Sequence, residues 1–360
     1  MEKTLGQRNS SFELLRIICM LMIVAGHVII SHEDTSIADH YISQLVRSFT
    51  VCAVNVFVMI SGFFGIRFKL DRLIRMDLQV WFYAVSSLVF LIVVRNHIFV
   101  LKKDCLIFLP IITKQYWFVT AYFALYLISP WLNKYIQVID KKELESLLIL
   151  GGGLFYLWPT FNYLVNANQL IMDAGYGIVN FVYLYLLGRY IRIFGFLRNL
   201  SRKGLILFYV CSAILLFLCQ EILSYLLGFQ FSSWLSYNTI FVLAESVFMI
   251  LLFERKEISS RTINTIAAPA LAVYLFHMAP PDLWNYIVKM LRINNFHGFM
   301  YLIILFVLPV LIYFTAFVIE RVRLCVFERG EQRLCDEVAS LRVMKLLQKC
   351  VRYEKSIKNE

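Results

Sequence analysis

The stretch Phe12–Ser31, FELLRIICMLMIVAGHVIIS, decides what surrounds this chain. As an α-helix it covers about 30 Å, the thickness of a bilayer's hydrocarbon core. Nine more segments of similar character follow, at 46–66, 78–95, 116–132, 146–164, 178–195, 205–228, 237–253, 267–289 and 299–319. Across all 360 residues 60% are hydrophobic and 16% charged, and the mean hydropathy is +0.70. A soluble domain is roughly half apolar and a quarter charged, so this excess needs lipid as solvent. A soluble enzyme, a secreted disulfide scaffold and a single-anchor receptor are excluded. So is a β-barrel, whose strands alternate where these segments run continuously apolar. The expected fold is all-α, a polytopic membrane protein of about ten spanning helices.

The net charge of +11 is a topology signal rather than a nucleic-acid footprint. With the N-terminus inside, 27 of the 35 Lys and Arg residues fall on cytoplasmic segments, 7 fall outside and Arg16 lies within the first span. That split obeys the positive-inside rule and places both termini in the cytoplasm. In the 95–115 loop, Leu106–Ile112 is too short to span and is expected at the interface. Eight cysteines occur without a CxxC, so neither a disulfide framework nor a metal site is expected from their spacing. The start does not read as a cleaved signal peptide. No repeat or Pro/Ser-rich linker divides the chain, which gives a membrane domain over 1–320 and a cytoplasmic tail over 321–360. In that tail Gly330 breaks the pattern, and Leu334, Val338, Leu341, Met344, Leu347 and Val351 then recur at helical spacing among Arg342, Lys345, Lys349 and Arg352. This reads as an amphipathic helix on the inner leaflet or one that binds a partner.

Polar groups within spans are costly, so their default reading is functional. Arg16 and His27 are eleven residues apart, about three helical turns, so they share a face about 16 Å apart along the axis. The plainer reading has Arg16 reaching inner headgroups and His27 bonding a neighbouring helix. After the second span Lys69, Arg72 and Arg75 recur every three residues. Guanidinium forks suit phosphates, although an ordinary positive-inside loop also explains such a cluster. Ser61 and Gly62, in Phe57-Val-Met-Ile-Ser-Gly-Phe63, offer a small surface for helix packing.

Together these motifs resemble the acyltransferase-3 family of bacterial integral-membrane acyltransferases. Arg16-x10-His27 is similar to the family's first-helix motif, and 57–63 to the end of its second helix. Arg72-x-x-Arg75 is similar to its cytoplasmic arginine motif. Tyr116-Trp-Phe with Tyr122 and Ser129-Pro130, and Tyr274-Leu-Phe-His277, are similar to later landmarks. The resemblance covers all ten spans. It implies a protein of the bacterial plasma (inner) membrane that transfers an acyl group, usually acetyl, from cytoplasmic acyl-CoA to a carbohydrate acceptor. It also implies His27 as the catalytic histidine and Arg16, Arg72 and Arg75 as CoA contacts. Two departures stand out. Met76-Asp77 follows the arginine motif where many members have aromatic or proline residues. No extracytoplasmic esterase-like domain follows the last span, which points to direct transfer within the membrane domain.

The chemistry suits this resemblance. A histidine titrates near neutrality and can take a proton from an attacking hydroxyl. The tetrahedral oxyanion needs donors, for which Trp117, Tyr122 and Tyr274 are candidates. His277 is either a packing histidine or a second active-site histidine. Glu33, Asp34, Glu221 and Glu245 are candidates to orient His27. Glu221 and Glu245 fall at equal depth on adjacent spans, and Glu245 is counted with the catalytic set. Trp234, Tyr237 and Trp284 could stack on sugar rings. A transporter or flippase for a lipid-linked glycan also suits ten spans with buried charges, but it does not need arginines at one end of a helix and a histidine at the other. The acyl group, the glycan and the formation of a homo-oligomer stay open.

Overall fold

The computed structural model describes residues 9–33, 36–95, 98–165, 173–227, 235–279 and 283–341. Among them there is no strand. The first six helices are α1 (Ser10–Ser31), α2 (Ile37–Thr50), α3 (Ala53–Phe64), α4 (Leu70–Arg95), α5 (Leu101–Asp104) and α6 (Trp117–Val138). Next come α7 (Lys141–Gly152), α8 (Trp158–Leu164), α9 (Ile178–Phe194), α10 (Arg202–Leu227) and α11 (Ile240–Glu254). The last are α12 (Arg261–Ala267), α13 (Ala270–His277), α14 (Leu283–Met290) and α15 (Gly298–Ser340).

Among the described residues, six segments are long and apolar enough to cross a membrane: Ser10–Ser31, Ile37–Phe64, Leu70–Val94, Lys141–Leu164, Arg202–Leu226 and Gly298–Ser340. The expected spans at 116–132, 178–195 and 237–253 fall on α6, α9 and α11.

Several expected spans are not single rods. The second begins nine residues earlier than hydropathy indicates, at Ile37, and is broken between α2 and α3. Ser36 caps α2 by accepting from Asp39 N at 3.1 Å. The polar residues that lower its hydropathy find partners on other helices: Gln44 with Gln220, His40 with Glu221 and Ser43 with Tyr301. The span at 146–164 contains a π-helical turn over Gly153–Leu157, followed by Pro159 in the first turn of α8. That wider turn sits where proline cannot donate its backbone hydrogen bond. The span expected at 267–289 begins on the last residue of α12 and contains the two short helices α13 and α14, with interruptions at Ala268–Pro269 and after His277. Pro280 and Pro281 lie outside the described residues.

The largest correction concerns the C-terminus. Gly330 does not interrupt the chain: α15 runs unbroken to Ser340, through the expected boundary at 320/321. Its continuation packs on the first turns of α4. The buried Glu320 accepts from Gln79 Nε2 at 3.0 Å, from Tyr83 Oη at 3.0 Å and from Arg323 Nε at 2.9 Å. Arg323 also bonds Glu331, and Arg75 bonds Gln332. Charges this deeply placed are tolerated because they are paired and hydrogen-bonded. The tail's residues 342–360 lie outside the described residues. In the 95–115 segment, Ile107 and Ile111 are buried while Leu106, Leu109 and Ile112 are exposed.

The core joins α3 and α9 at small residues. A β-carbon on Gly62 would lie 2.8 Å from Tyr185 Cα, and one on Gly188 would lie 2.9 Å from Phe63 N. Both neighbours are backbone and cannot swing away, so the helices touch here only because side chains are absent. Gly188→Ala should therefore cost about 1–3 kcal/mol by overpacking. A lowered melting temperature in detergent checks this, and an unchanged one contradicts it.

Candidate active site

The helix α1 is capped by Asn9, whose side chain accepts from Ser11 N at 3.1 Å. The Ser10 and Ser11 hydroxyls accept from Ser260 N at 3.0 Å and Ile258 N at 3.1 Å. These bonds hold the start of α1 beside α12. Because the helical period brings residues 16 and 27 to one face, both point into a single cavity of about 580 Å³. Its walls come from α1, α3, α4, α6, α12 and α13, with Tyr237 added from the segment before α11.

One end of the cavity is cationic. Arg16 donates from Nη1 to Glu13 Oε1 at 2.7 Å, and its side chain remains a third exposed. Arg72 lines the same cavity. It lies in the first turn of α4, not in a loop, because the helix begins at Leu70. The approach to that helix is pinned by phenols. Tyr185 Oη accepts from Ile66 N at 3.0 Å and donates to Asn133 Oδ1 at 2.7 Å. Tyr126 Oη accepts from Lys69 N at 2.9 Å and donates to Lys69 O at 3.1 Å. Arg75, three residues on, is rotated by about 60° from Arg72 and turns to Gln332 instead. It is not among the cavity residues.

The other end holds two histidines. His277 Nδ1 lies 2.6 Å from Val273 O, and its Nε2 lies 3.2 Å from His27 Nδ1. A carbonyl can only accept, so His277 Nδ1 carries the hydrogen. In the neutral pair its Nε2 is then a lone pair, His27 Nδ1 donates to it, and His27 Nε2 is left with a lone pair of its own. Trp284 packs edge-on to both rings, at centroid distances of 6.4 Å and 5.7 Å. Its Nε1 donates to Ser31 Oγ at 2.6 Å. The His277–His27 contact favours one tautomer of His27, and it gives His277 a testable positioning role. His277→Phe should lower kcat roughly 10- to 100-fold, the usual weight of an outer hydrogen-bond partner, with donor KM unchanged. His277→Gln, whose amide oxygen can accept the same bond, should recover most of the loss. Equal rates for both variants would contradict the assignment.

Aromatic residues complete this end. Trp117 stacks on Tyr237 at 5.7 Å and meets Tyr176 edge-on at 4.5 Å. Tyr122 Oη shares a 3.2 Å hydrogen bond with Ser61 Oγ. Tyr274 Oη is buried and makes no hydrogen bond among the described residues.

Of the residues the sequence pointed to, Arg16, His27, Arg72, Trp117, Tyr122, Tyr237 and Tyr274 line this one cavity, and His277 joins it through His27. Arg75 and Glu245 do not. Glu245 is fully buried elsewhere, with neither carboxylate oxygen hydrogen-bonded among the described residues. Glu221 pairs with His40 at 3.2 Å, in a separate groove with Tyr41 and Tyr225. Neither acid orients His27. Asp34 and Trp234 lie outside the described residues. Sequence reasoning overlooked Glu13, whose spacing of three from Arg16 was a usable signal for a helical ion pair. It also read Ser61 as packing, whereas Ser61 lines the cavity.

The chain belongs to the acyltransferase-3 family: the model of that family's acyltransferase domain matches residues 9–318, nearly the whole chain. No curated protein and no solved structure matches it.

Proposed function

We propose that this acyltransferase carries an acyl group, acetyl in the simplest case, from cytoplasmic acyl-CoA to a hydroxyl of a cell-surface or exported carbohydrate. The observation that carries this reading is one cavity lined by Arg16, Arg72 and His27, with Arg16 and His27 about three turns apart on one helix face. Its volume lies in the ordinary range for small-molecule sites. The donor is a polyanion on a long thin arm that ends in a thioester. Arg16 and Arg72 suit its phosphates, with Glu13 holding the Arg16 fork in place. The axial spacing of Arg16 and His27, about 16 Å, leaves room for the extended arm between them.

At the far end, His27 Nε2 accepts the proton of the acceptor hydroxyl as that oxygen attacks the thioester carbon. His277 Nε2 keeps the hydrogen on His27 Nδ1 throughout. Tyr274 Oη is the available donor to the tetrahedral oxyanion. As the intermediate collapses, the carbon–sulfur bond breaks and His27 returns its proton to the departing thiolate. Trp117 and Tyr237 present flat faces on which a sugar ring can stack.

The test is thiol release. Purified protein in nanodiscs, supplied with acetyl-CoA and a panel of glycans, should liberate free CoA in step with acetylation of one acceptor class. Glycan transport by reconstituted protein without any CoA release would favour a flippase and overturn the proposal.

A further inference from the structure

Two residues seven positions apart and a third from far along the chain meet beyond the His27 end of α1. His32 follows the last residue of α1, Asp39 lies in the first turn of α2, and His297 is the residue before α15. One donor atom from each lies within 4.8 Å of the other two. Asp39 and His32 are buried, with the Asp39 side chain wholly inaccessible, whereas His297 is half exposed.

We propose that His32, Asp39 and His297 form a divalent-cation site of the zinc class, which ties together the ends of α1, α2 and α15.

The donor set is two imidazoles and one carboxylate. That set suits zinc and its transition-metal neighbours rather than calcium or magnesium, which take oxygen ligands. The surroundings match what such ligands require. A ligating histidine gives its other ring hydrogen to a carbonyl or carboxylate, and a ligating carboxylate is itself held by a donor. Here His32 Nε2 lies 3.0 Å from Phe296 O, so that nitrogen carries the hydrogen and Nδ1 is the donor atom. Asp39 Oδ1 accepts from Gly298 N at 2.7 Å, leaving Oδ2 facing His297 Nδ1 at 2.9 Å. The ring of His32 is fixed by stacking on Tyr301 at 3.9 Å.

Ligands of a tetrahedral zinc stand roughly 3.3–3.5 Å apart, given bonds of about 2.0–2.1 Å. Asp39 Oδ2 and His297 Nδ1, 2.9 Å apart, are already near that spacing, and the His32 donor atom lies within 4.8 Å of both. The metal would then replace the hydrogen now shared by His297 and Asp39. The fourth position would face solvent, as His297 does. The cysteine-based reading of the sequence expected no metal, because the three ligands come from positions with no local spacing signature.

Full-length protein in detergent, stripped with a chelator, is titrated with Zn²⁺ against a chromophoric competitor. One equivalent should bind, and the melting temperature should rise with it. His297→Gln, a change at the exposed ligand, should lower affinity at least tenfold and abolish the thermal shift. His40→Gln should leave both unchanged, since His40 belongs to the Glu221 pair. Co²⁺ in place of Zn²⁺ should show the visible bands of a tetrahedral site, and these should be absent from Asp39→Asn. Absence of stoichiometric binding to the parent, binding unchanged in His297→Gln, or binding lost in His40→Gln would overturn the proposal.

Discussion

Replacing His27 by alanine should lower turnover by about 10²–10⁴, the usual contribution of a general base. Donor binding should remain near the parental level, because the cationic end of the cavity is about three helical turns away. The variant also deprives His277 Nε2 of its 3.2 Å partner, so a modest fall in melting temperature should accompany the kinetic loss. The two effects separate in a transfer assay run beside a thermal melt. A variant that melts early but turns over at the parental rate would reduce His27 to a packing residue.

Arg72→Ala should act at the other end and in the other parameter. A charge-assisted contact is worth roughly 1.5–3 kcal/mol, so acyl-CoA affinity should fall roughly 10- to 150-fold, with kcat at saturation little changed. Arg72→Lys should restore only part of it, since a point charge cannot reproduce the guanidinium fork. Arg16→Ala should show a similar loss of affinity together with lower stability, because it leaves the buried Glu13 without its 2.7 Å partner. Arg75→Ala should spare affinity. Its guanidinium is directed to Gln332 on α15 and not to the cavity. Isothermal titration of the four variants distinguishes these outcomes.

What could be read in the sequence was what depends on one helix at a time. The shared face of Arg16 and His27 follows from the 3.6-residue period, and both line the cavity. The lipid-facing character of the chain follows from composition. What depends on two elements was not legible. The partner of His27 lies 250 residues away, on a short helix that begins just after the Ala268–Pro269 break. The start of α2 was hidden because hydropathy counts Asp39, His40 and Gln44 as polar, while the fold gives each a partner on another helix. Equal depth of Glu221 and Glu245 did not bring them to the site, since depth fixes height along a helix but not the direction a side chain takes. Gly330 passed as a breaker because a lone glycine in a helix costs only about 1 kcal/mol, which the packing of α15 on α4 outweighs.

The central claim is that one cavity receives an acyl-CoA at the Arg16–Arg72 end and presents its thioester to His27. Calorimetric titration of the purified parent, His27→Ala and Arg72→Ala proteins with a non-hydrolysable acyl-CoA analogue tests it most directly. The account predicts one site per chain in the parent, the same affinity in His27→Ala and a loss of roughly tenfold or more in Arg72→Ala. No binding to the parent, or equal binding to parent and Arg72→Ala, would contradict it.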